Sequence, residues 1–362
     1  MVTKSPKYRI YEVNKASAKN VKTSILIIYT GGTIGMEHDS SGALVPLNFS
    51  QIVQRVPQLK NLDIHLTIIS FSSPIDSSNV TISAWQDLAF IIHENNLQYD
   101  GFVVLHGTDT MSFTASAISF MLNGFNKPII FTGAQLPISA IRSDARPNLL
   151  TSLEIASAKK NGIPIVPEVC VYFDYQLMRG NRTFKKRSSQ FAAFGCDNYP
   201  ILAKAGITIS YNEAVITKYD VHEKFNFKNQ FCSDVIIIKI FPSLNESYLK
   251  HMLSIPNLKG VVLETYGSGN APTESWFLKC LKEAIDRGII IYNVSQLTGG
   301  IVMQGRYETS KYLKEIGVIS GSDITREAAI TKLMFLLGTE SDLEAVKQKL
   351  ITSLNGELSV SK

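Results

Sequence analysis

Short apolar runs alternate with longer amphipathic stretches along the first half of the chain. The apolar runs have the length of strands and cover residues 25–29, 66–70, 102–105, 128–131 and 169–173. Several stretches between them carry apolar residues at three- and four-residue spacing, which predicts helices over residues 82–94, 111–122 and 148–160. This alternation is typical of an α/β domain with a mainly parallel sheet covered by helices on both faces.

The pattern loosens over residues 209–232, which are polar and aromatic without a helical stripe. The alternation then resumes, with strands predicted over residues 235–241, 260–264 and 289–293 and helices near 246–254, 274–287, 326–337 and 340–354. We therefore predict three parts: a larger N-terminal α/β domain over residues 1–208, a connection over 209–232, and a smaller C-terminal α/β domain over 233–362.

The composition excludes several classes of protein. A hydrophobic fraction of 45% in 362 residues is enough for large buried cores and argues against a disordered chain. The net charge of +5 is small, and the basic residues are scattered except in Lys185–Arg187, so we expect no nucleic-acid partner. The longest early apolar run, Ile25–Tyr29, is too short to span a membrane and no apolar leader precedes it, so we expect no membrane partner either.

The cysteines and histidines do not form a metal-binding pattern. Cys170, Cys196, Cys232 and Cys280 lie far apart without CxxC spacing, and the six histidines show no HxH or HExxH grouping. We therefore expect no metal, reduced thiols and a cytoplasmic location.

A glycine-rich turn, TGGTIG at residues 30–35, follows the first apolar run. Glycines at this position allow a sharp turn and a close approach of a ligand to the main chain. Ligands of parallel α/β sheets bind at the carboxyl ends of strands. The GxGxxG and GxxxxGKS spacings of phosphate-binding loops are absent. Two interpretations therefore stay open: a catalytic Thr33, or a tight turn whose glycines serve packing.

A second polar loop, HGTDTM at residues 106–111, follows the third apolar run. Taken alone, Thr108 or Thr110 would cap the following helix, with Asp109 near its positive end. If the two strands are neighbours, however, their ends bring two hydroxyls and a carboxylate to one edge of the sheet. A threonine hydroxyl needs a base or a cation-assisted relay before it attacks. Lys185 is a candidate for that relay, and the alternative is a solvated surface lysine.

TGGTIG and HGTDTM, in this order and about 75 residues apart, resemble the two signature motifs of the bacterial-type L-asparaginases. The resemblance covers nearly the whole chain, with further matching segments at residues 75–81 (IDSSNVT), 131–137 (FTGAQLP), 142–149 (RSDARPNL), 179–185 (RGNRTFK), 266–272 (YGSGNAP) and 317–333 (GVISGSDITREAAITKL). Within the family, the chain resembles the cytoplasmic type I branch, on the RGNRT segment and on the expectation that it has no signal peptide. The resemblance implies the two-domain asparaginase fold, cofactor-free hydrolysis of free L-asparagine to L-aspartate and ammonia, and a homodimer or homotetramer.

The resemblance also implies a set of catalytic residues. Thr33 matches the nucleophile that forms a covalent acyl-enzyme, and Thr108, Asp109 and Lys185 match a second set across the substrate. Family members commonly have an activating tyrosine about ten residues after the nucleophile, but the loop here reads MEHDSSGALVP and has none. We expect Tyr307 to replace it, because related type I sequences place a tyrosine at the matching C-terminal position. The alternative is that Tyr307 is a packed or surface aromatic residue.

Substrate-binding residues follow from the same resemblance. They are Ser77, Ser78, Thr108, Asp109, Ala134 and Asn270. In the family, the residues matching Ser77, Ser78 and Asp109 hold the α-carboxylate and α-amino groups of a zwitterionic amino acid. The loop matching Ala134 faces the amide that is cleaved, and the segment matching Asn270 reaches the site of a neighbouring subunit.

Three further possibilities stay open or are set aside on the sequence. A glutaminase-asparaginase differs by a pocket that admits one more methylene, which residue types do not decide. A non-catalytic amino-acid-binding sensor is favoured only by the missing loop tyrosine. The related amidase subunit that converts misacylated glutamyl-tRNA has an extra domain before its TGGT motif, whereas 29 residues precede Thr30 here.

His106 is adjacent to the second motif, and we expect it to be buried and to orient the loop rather than to act as a base.

Overall fold

The computed structural model describes residues 7–14, 23–38, 44–46, 49–222, 224–305 and 308–359. The chain divides into two compact units. The first comprises Met1–Cys196 and Pro200–Phe227, and the second comprises Asp197–Tyr199 and Lys228–Lys362.

The first unit is built on a mixed sheet. Its strands, within the described residues, are β1 (Tyr8–Asn14), β2 (Ser24–Tyr29), β3 (Met36–His38), β4 (Leu44–Pro46), β5 (His65–Phe71), β6 (Gly101–Leu105), β7 (Leu122–Asn123), β8 (Ile129–Thr132), β9 (Lys159–Lys160), β10 (Ile163–Pro164), β11 (Val169–Phe173), β12 (Gln176–Arg179), β13 (Phe184–Lys185), β14 (Phe194–Gly195), β15 (Ala203–Ala205), β16 (Ile209–Tyr211) and β17 (Asn226–Phe227). Its helices are α1 (Phe49–Arg55), α2 (Ile82–Glu94), α3 (Met111–Met121) and α4 (Ala145–Ser157).

The strand order of the main sheet is β1-β5-β2-β6-β8-β11-β12-β15-β16. The five strands from β5 to β11 in this order run parallel, and the strands at both margins pair antiparallel. Counted along the chain, the parallel strands have the order 2-1-3-4-5, so the winding direction reverses between β2 and β6. At such a switch point the loops that leave the strands diverge and open a crevice at their carboxyl ends. The condition stated for the two Gly-Thr loops, that they follow neighbouring strands, is met, because Tyr29 of β2 pairs with Leu105 of β6.

The central strands are buried along their whole length. β6, β8 and β11 are buried at every position, and β2 is buried at all but its first residue. Strands with both faces covered need continuous apolar runs, which is why the sequence located them correctly. Among the helices, α2 spans the predicted residues 82–94.

The helix predicted over residues 148–160 was wrong at both ends, since α4 runs from Ala145 to Ser157. Pro147 lies in its first turn, where a missing N–H costs no intrahelical hydrogen bond, so proline did not delay the start. The chain leaves the helix early because Lys159–Lys160 pairs with Ile163–Pro164 in a short hairpin.

The second unit has a parallel sheet in the order β18-β19-β20-β21. These strands are β18 (Val235–Lys239), β19 (Gly260–Thr265), β20 (Ile290–Ser295) and β21 (Ile319–Ser320), and the helices described with them are α5 (Glu246–Leu253), α6 (Ser275–Asp286), α7 (Glu308–Glu315), α8 (Arg326–Thr339) and α9 (Leu343–Ile351). The helix predicted over 340–354 is shorter than expected because Asp342 caps its start, accepting hydrogen bonds from the backbone of Glu344 and Ala345.

An ion pair with no solvent exposure fastens the C-terminal segment of the second unit. Lys332 Nζ on α8 lies 2.6 Å from Glu357 Oε1, and both side chains are 0% exposed. Glu357 also accepts hydrogen bonds from the backbone N–H groups of Leu354 and Asn355. Lys332 donates to the carbonyl oxygens of Leu350 and Thr352. The pair therefore has the additional hydrogen bonds that a buried charge pair requires.

The segment 209–232, predicted as a connection, contains two strands of the first unit. β16 pairs with β15 at the margin of the main sheet, and β17 pairs with β7. The domain boundaries at residues 208 and 232 stay a prediction. Within the described part of the chain, no helix has the length and apolar character needed to cross a membrane.

Candidate active site

The TGGT turn is wedged between the backbones of two neighbouring loops. Gly31 and Gly32 have φ angles of 137° and 92°, a region that favours glycine. A Cβ atom on Gly31 would lie 2.3 Å from the carbonyl oxygen of Ile75, and one on Gly32 would lie 2.5 Å from the amide nitrogen of Gly107. Both glycines are therefore required for the turn to sit in the switch-point crevice. Thr33 follows them and begins a single 3₁₀ turn at the carboxyl end of β2.

Thr30 ties this turn to the adjacent strand. Its backbone N–H and its hydroxyl each donate to the carbonyl oxygen of Leu105 at 3.0 Å, and its own carbonyl accepts from the backbone of Ile75 at 2.7 Å. Thr33 itself is partly exposed, and no group in the described ranges is found to hydrogen-bond its hydroxyl. Tyr307, which we predicted to activate Thr33, lies outside the described residues.

Lys185 joins the predicted residues of the second loop. Its Nζ atom donates hydrogen bonds to Thr108 Oγ1 and to Asp109 Oδ1, each at 2.7 Å. The side chain of Lys185 is 19% exposed, whereas that of Asp109 is 64% exposed. Lys185 reaches this position from β13, which is held by antiparallel pairing with Phe194 of β14. The lysine of a short basic run is thus drawn into the edge of the sheet instead of pointing to solvent.

Gln135, which the sequence did not indicate, fixes the direction of the Thr108 hydroxyl. Its Nε2 group donates to the carbonyl oxygens of Ser188 at 3.1 Å and Gln190 at 3.0 Å. Both amide hydrogens are then in use, so Oε1 must face the other way. There it accepts the hydroxyl hydrogen of Thr108 at 3.4 Å, while Lys185 donates to the Thr108 Oγ1 atom. The hydroxyl oxygen therefore keeps its proton directed away from the lysine.

The loop that contains Ala134 is held by side chains of α4 and the residue before it. Asp144 accepts hydrogen bonds from the backbone N–H groups of Gln135 and Leu136 at 3.0–3.1 Å. Asn148 donates to the carbonyl oxygen of Gly133 at 3.0 Å. These contacts leave Ala134 buried and its loop fixed from both sides.

The predicted carboxylate-binding serines lie on the loop after β5. Ser77 is buried, and its Oγ atom would lie 2.5 Å from a Cβ on Gly107, so the serine packs directly against the second glycine loop. Ser78 is exposed, and its hydroxyl and backbone N–H both donate to Asp76 Oδ1 at 2.9 Å. The backbone N–H of Ser78 and then its hydroxyl hold the pKa of Asp76 below its usual range. This loop is therefore adjacent to the HGTD loop, and Asp76 caps its 3₁₀ turn.

His106 is fully buried and forms part of a polar chain beneath the second loop. Trp85 Nε1 donates to Thr114 Oγ1, and Thr114 Oγ1 lies 3.0 Å from His106 Nε2. His106 Nδ1 lies 2.7 Å from the carbonyl oxygen of Gly107, which can only accept, so Nδ1 carries the hydrogen. Burial lowers the pKa of His106 to about 4. A neutral imidazole with both nitrogens in use orients the loop, and it has no free nitrogen to act as a base.

Asn270 belongs to the second unit, where it closes a tight turn. Its backbone N–H and carbonyl both pair with Tyr266 at 2.9 Å. The first unit thus brings together Thr108, Asp109 and Lys185, with Ser77 and the TGGT turn against the same loop.

Comparisons with known proteins give a family for both parts of the chain. The chain matches the family descriptions "Asparaginase, N-terminal" over residues 24–217 and "Glutaminase/Asparaginase C-terminal domain" over residues 234–350. It is 38% identical over 347 residues to L-asparaginase 1 of Escherichia coli (strain K12), covering 93% of this chain and 98% of that protein. It is 37% identical over 369 residues to the 60 kDa lysophospholipase of Mus musculus, covering 95% of this chain but 64% of that longer protein.

Among solved structures, that of L-asparaginase I from Vibrio cholerae superposes with a TM-score of 0.86 at 37% identity, covering 93% of this chain and 99% of that one. The matches to both family domains and the near full-length relatives agree on one assignment. The chain is an enzyme of the asparaginase family with the two-domain asparaginase fold.

Proposed function

We propose that this protein hydrolyses the side-chain amide of free L-asparagine to L-aspartate and ammonia, with Thr33 as the nucleophile. The observation that carries the proposal is the position of Lys185, whose amine lies 2.7 Å from both Thr108 Oγ1 and Asp109 Oδ1 beside the switch point. This joins a hydroxyl, a carboxylate and an amine on the loop after β6, and Thr33 follows the neighbouring strand β2, which supports a nucleophile and a proton-transfer group in one site.

The substrate is an amino acid with charges of both signs, and the loops offer a partner for each. Asp109 uses Oδ1 for Lys185, and its largely exposed carboxylate has a second oxygen for an α-ammonium group. The loop after β5 offers donors for an α-carboxylate: the Ser77 hydroxyl, and the Ser78 hydroxyl when it exchanges Asp76 for the substrate. Charge-assisted hydrogen bonds of this kind discriminate against amides that are not amino acids.

In the reaction, the Thr33 hydroxyl attacks the amide carbon of the bound substrate. The oxygen of the tetrahedral intermediate accepts hydrogen bonds from backbone N–H groups beside Thr33 and Ala134, and ammonia leaves. Water then attacks the resulting ester and releases aspartate. Lys185 and Thr108 hold or transfer a proton on the opposite side of the substrate. Tyr307 takes the place of the loop tyrosine: its phenol oxygen accepts the proton of the Thr33 hydroxyl as it passes its own proton on towards the amide nitrogen, which leaves as ammonia.

We further propose that the protein works without a cofactor, as a homodimer or homotetramer, with Asn270 contributing to the site of a neighbouring subunit. A reducing, cytoplasmic location is supported by four buried cysteines without disulfides. Neither a nucleic acid nor a membrane is part of the proposed function.

The test is ammonia release by the purified protein with L-asparagine and, separately, with L-glutamine. We expect turnover of asparagine, with its loss in Thr33→Ala and Lys185→Met. Lys186→Met is the matched control, because it removes the adjacent, exposed lysine without touching Thr108. Equal turnover of glutamine would establish the glutaminase-asparaginase alternative. Saturable binding of asparagine without ammonia release would establish the sensor and refute the enzymatic proposal.

A further inference from the structure

Tyr29 is the last residue of β2, and its side chain lies beneath the turn that carries Thr33. The residue is 1% exposed. Its hydroxyl donates to the carbonyl oxygen of Gly35 at 3.3 Å, across the whole Thr33–Gly35 turn. Burial raises the pKa of Tyr29 well above its usual range, so the phenol keeps its proton and acts as a donor.

The contact between the phenol and the turn is steric as well as polar. A Cβ atom on Gly35 would lie 2.1 Å from the Tyr29 hydroxyl oxygen and 2.5 Å from the ring carbon that bears it. No side chain fits between ring and backbone, so the ring sets the distance between β2 and the end of the turn.

The two ends of the turn are fixed by different means. At its start, Gly31 and Gly32 press against the backbones of the neighbouring loops. At its end, Gly35 N–H bonds to the carbonyl oxygen of Gly32 at 3.1 Å, and Gly35 rests on Tyr29. Thr33 lies between these two points, and its orientation follows from both.

We propose that Tyr29 is a positioning residue for the nucleophile: its phenol, matched to Gly35, sets the orientation of the Thr33 hydroxyl over the switch point. The inference rests on the proposed function, because it assigns Tyr29 a part in the attack by Thr33. The substrate's α-carboxylate and α-ammonium contacts come from other loops, those of Ser77 and Asp109. Loss of the contact between the Tyr29 phenol and Gly35 therefore lowers the rate of attack and leaves the binding of the substrate largely intact.

The experiment compares Tyr29→Phe with Tyr172→Phe in the full chain, using L-asparagine. Tyr172 is an equally buried tyrosine on β11 of the same sheet, so the pair matches the loss of one buried hydroxyl. We expect Tyr29→Phe to lower kcat about tenfold with KM nearly unchanged, as a misplaced reacting group does. Tyr172→Phe is expected to keep the wild-type kcat. A Tyr29→Phe variant with wild-type kcat, or one that changes KM alone, would overturn the inference.

A size exchange between the two residues provides a second readout. Gly35→Ala places a methyl group into the phenol and is expected to abolish turnover, whereas Tyr29→Leu/Gly35→Ala removes the clash and is expected to recover part of it. Gly35→Ala with unchanged turnover, or a double variant no more active than Gly35→Ala, would contradict the matched contact. If the wild-type protein released no ammonia, the proposed function would fail instead, and the two failures are thereby distinguished.

Discussion

Lys185 Nζ lies 2.7 Å from Thr108 Oγ1, although 77 residues separate them along the chain. The lysine comes from a two-stranded ribbon and the threonine from the end of a central parallel strand. With Gln135 accepting the Thr108 hydrogen on its other side, the lysine in its charged form donates to a hydroxyl whose own proton points away. Because the Thr108 proton faces Gln135, a relay through Thr108 requires this hydroxyl to rotate towards the bound substrate as its oxygen accepts a proton from Lys185.

Lys185→Met tests this arrangement. Methionine follows the lysine side chain as far as Cε but has no amine, so Asp109 and Thr108 both lose this donor. We expect kcat for L-asparagine to fall by about 100-fold or more, the usual contribution of a placed proton-transfer group. The measurement is steady-state ammonia release, with Lys186→Met expected to behave as the wild type. Equal effects of the two substitutions would show that Lys185 acts only as part of a basic surface.

Gly32→Ala and Gly162→Ala separate backbone conformation from close packing. Both glycines have positive φ, 92° and 81°, but only Gly32 has a neighbouring backbone within 2.5 Å of the added Cβ. Gly162 has nothing within 4 Å. We expect Gly162→Ala to cost about 1 kcal/mol of unfolding free energy and to keep its activity. Gly32→Ala is expected to lose turnover because Gly107 and Thr108 must shift. Normal kcat in Gly32→Ala would mean that the contact between the two loops is not needed.

The two halves of the candidate site were predictable from the sequence to different degrees. The strands ending at Tyr29 and Leu105 are mostly apolar, and glycine with threonine follows each, so the sequence pattern places each hydroxyl at the carboxyl end of a strand. That the two strands are neighbours follows from the structure. The short antiparallel strands lack such a signal: β15 and β16 are only partly covered, and β12 is mostly buried but has four residues, too few to show a periodicity. They were missed for that reason.

Gln135 shows more clearly which contacts the sequence does not predict. It is a single polar residue in a loop, and its partners at Ser188 and Gln190 lie more than 50 residues away in sequence. No local pattern predicts such a contact. The role of His106 as a buried residue orienting the loop was foreseen, but its partners Thr114 and Trp85 required the packing of α2 against α3.

His106 makes stability depend on pH in the acid range. Its pKa is about 4 in the folded protein and near 6.5 in an exposed imidazole. Between these values the unfolded chain binds a proton that the folded protein does not, so stability falls as the pH falls through this window and is unaffected above it. We expect this imidazole to lower the free energy of unfolding by about 3 kcal/mol as the pH falls from 7 to 4.

The measurement is urea unfolding at several pH values for the wild type and for His106→Gln. Carboxyl groups titrate in both proteins, so the difference between the two curves isolates the imidazole. We expect the wild type to lose more stability than the variant as the pH falls. Parallel curves would refute the assignment.

Lys332→Met probes the buried ion pair of the second unit. Removing the amine leaves the Glu357 carboxylate uncompensated in a site without solvent, for which we expect a loss of about 3–5 kcal/mol in unfolding free energy. Lys347→Met is the control, because its pair with Glu344 is 39% and 72% exposed and should contribute under about 1 kcal/mol. Thermal or denaturant unfolding compares the two. Similar losses would mean that the buried pair adds nothing beyond a surface contact.

The most direct test of the central claim is to quench the reaction with L-asparagine in acid before the steady state and to map the modified peptide by mass spectrometry. The account predicts an aspartyl ester on Thr33 that is absent from Thr33→Ala. An ester on Thr108 in its place, or ammonia release at the wild-type rate from Thr33→Ala, would contradict it.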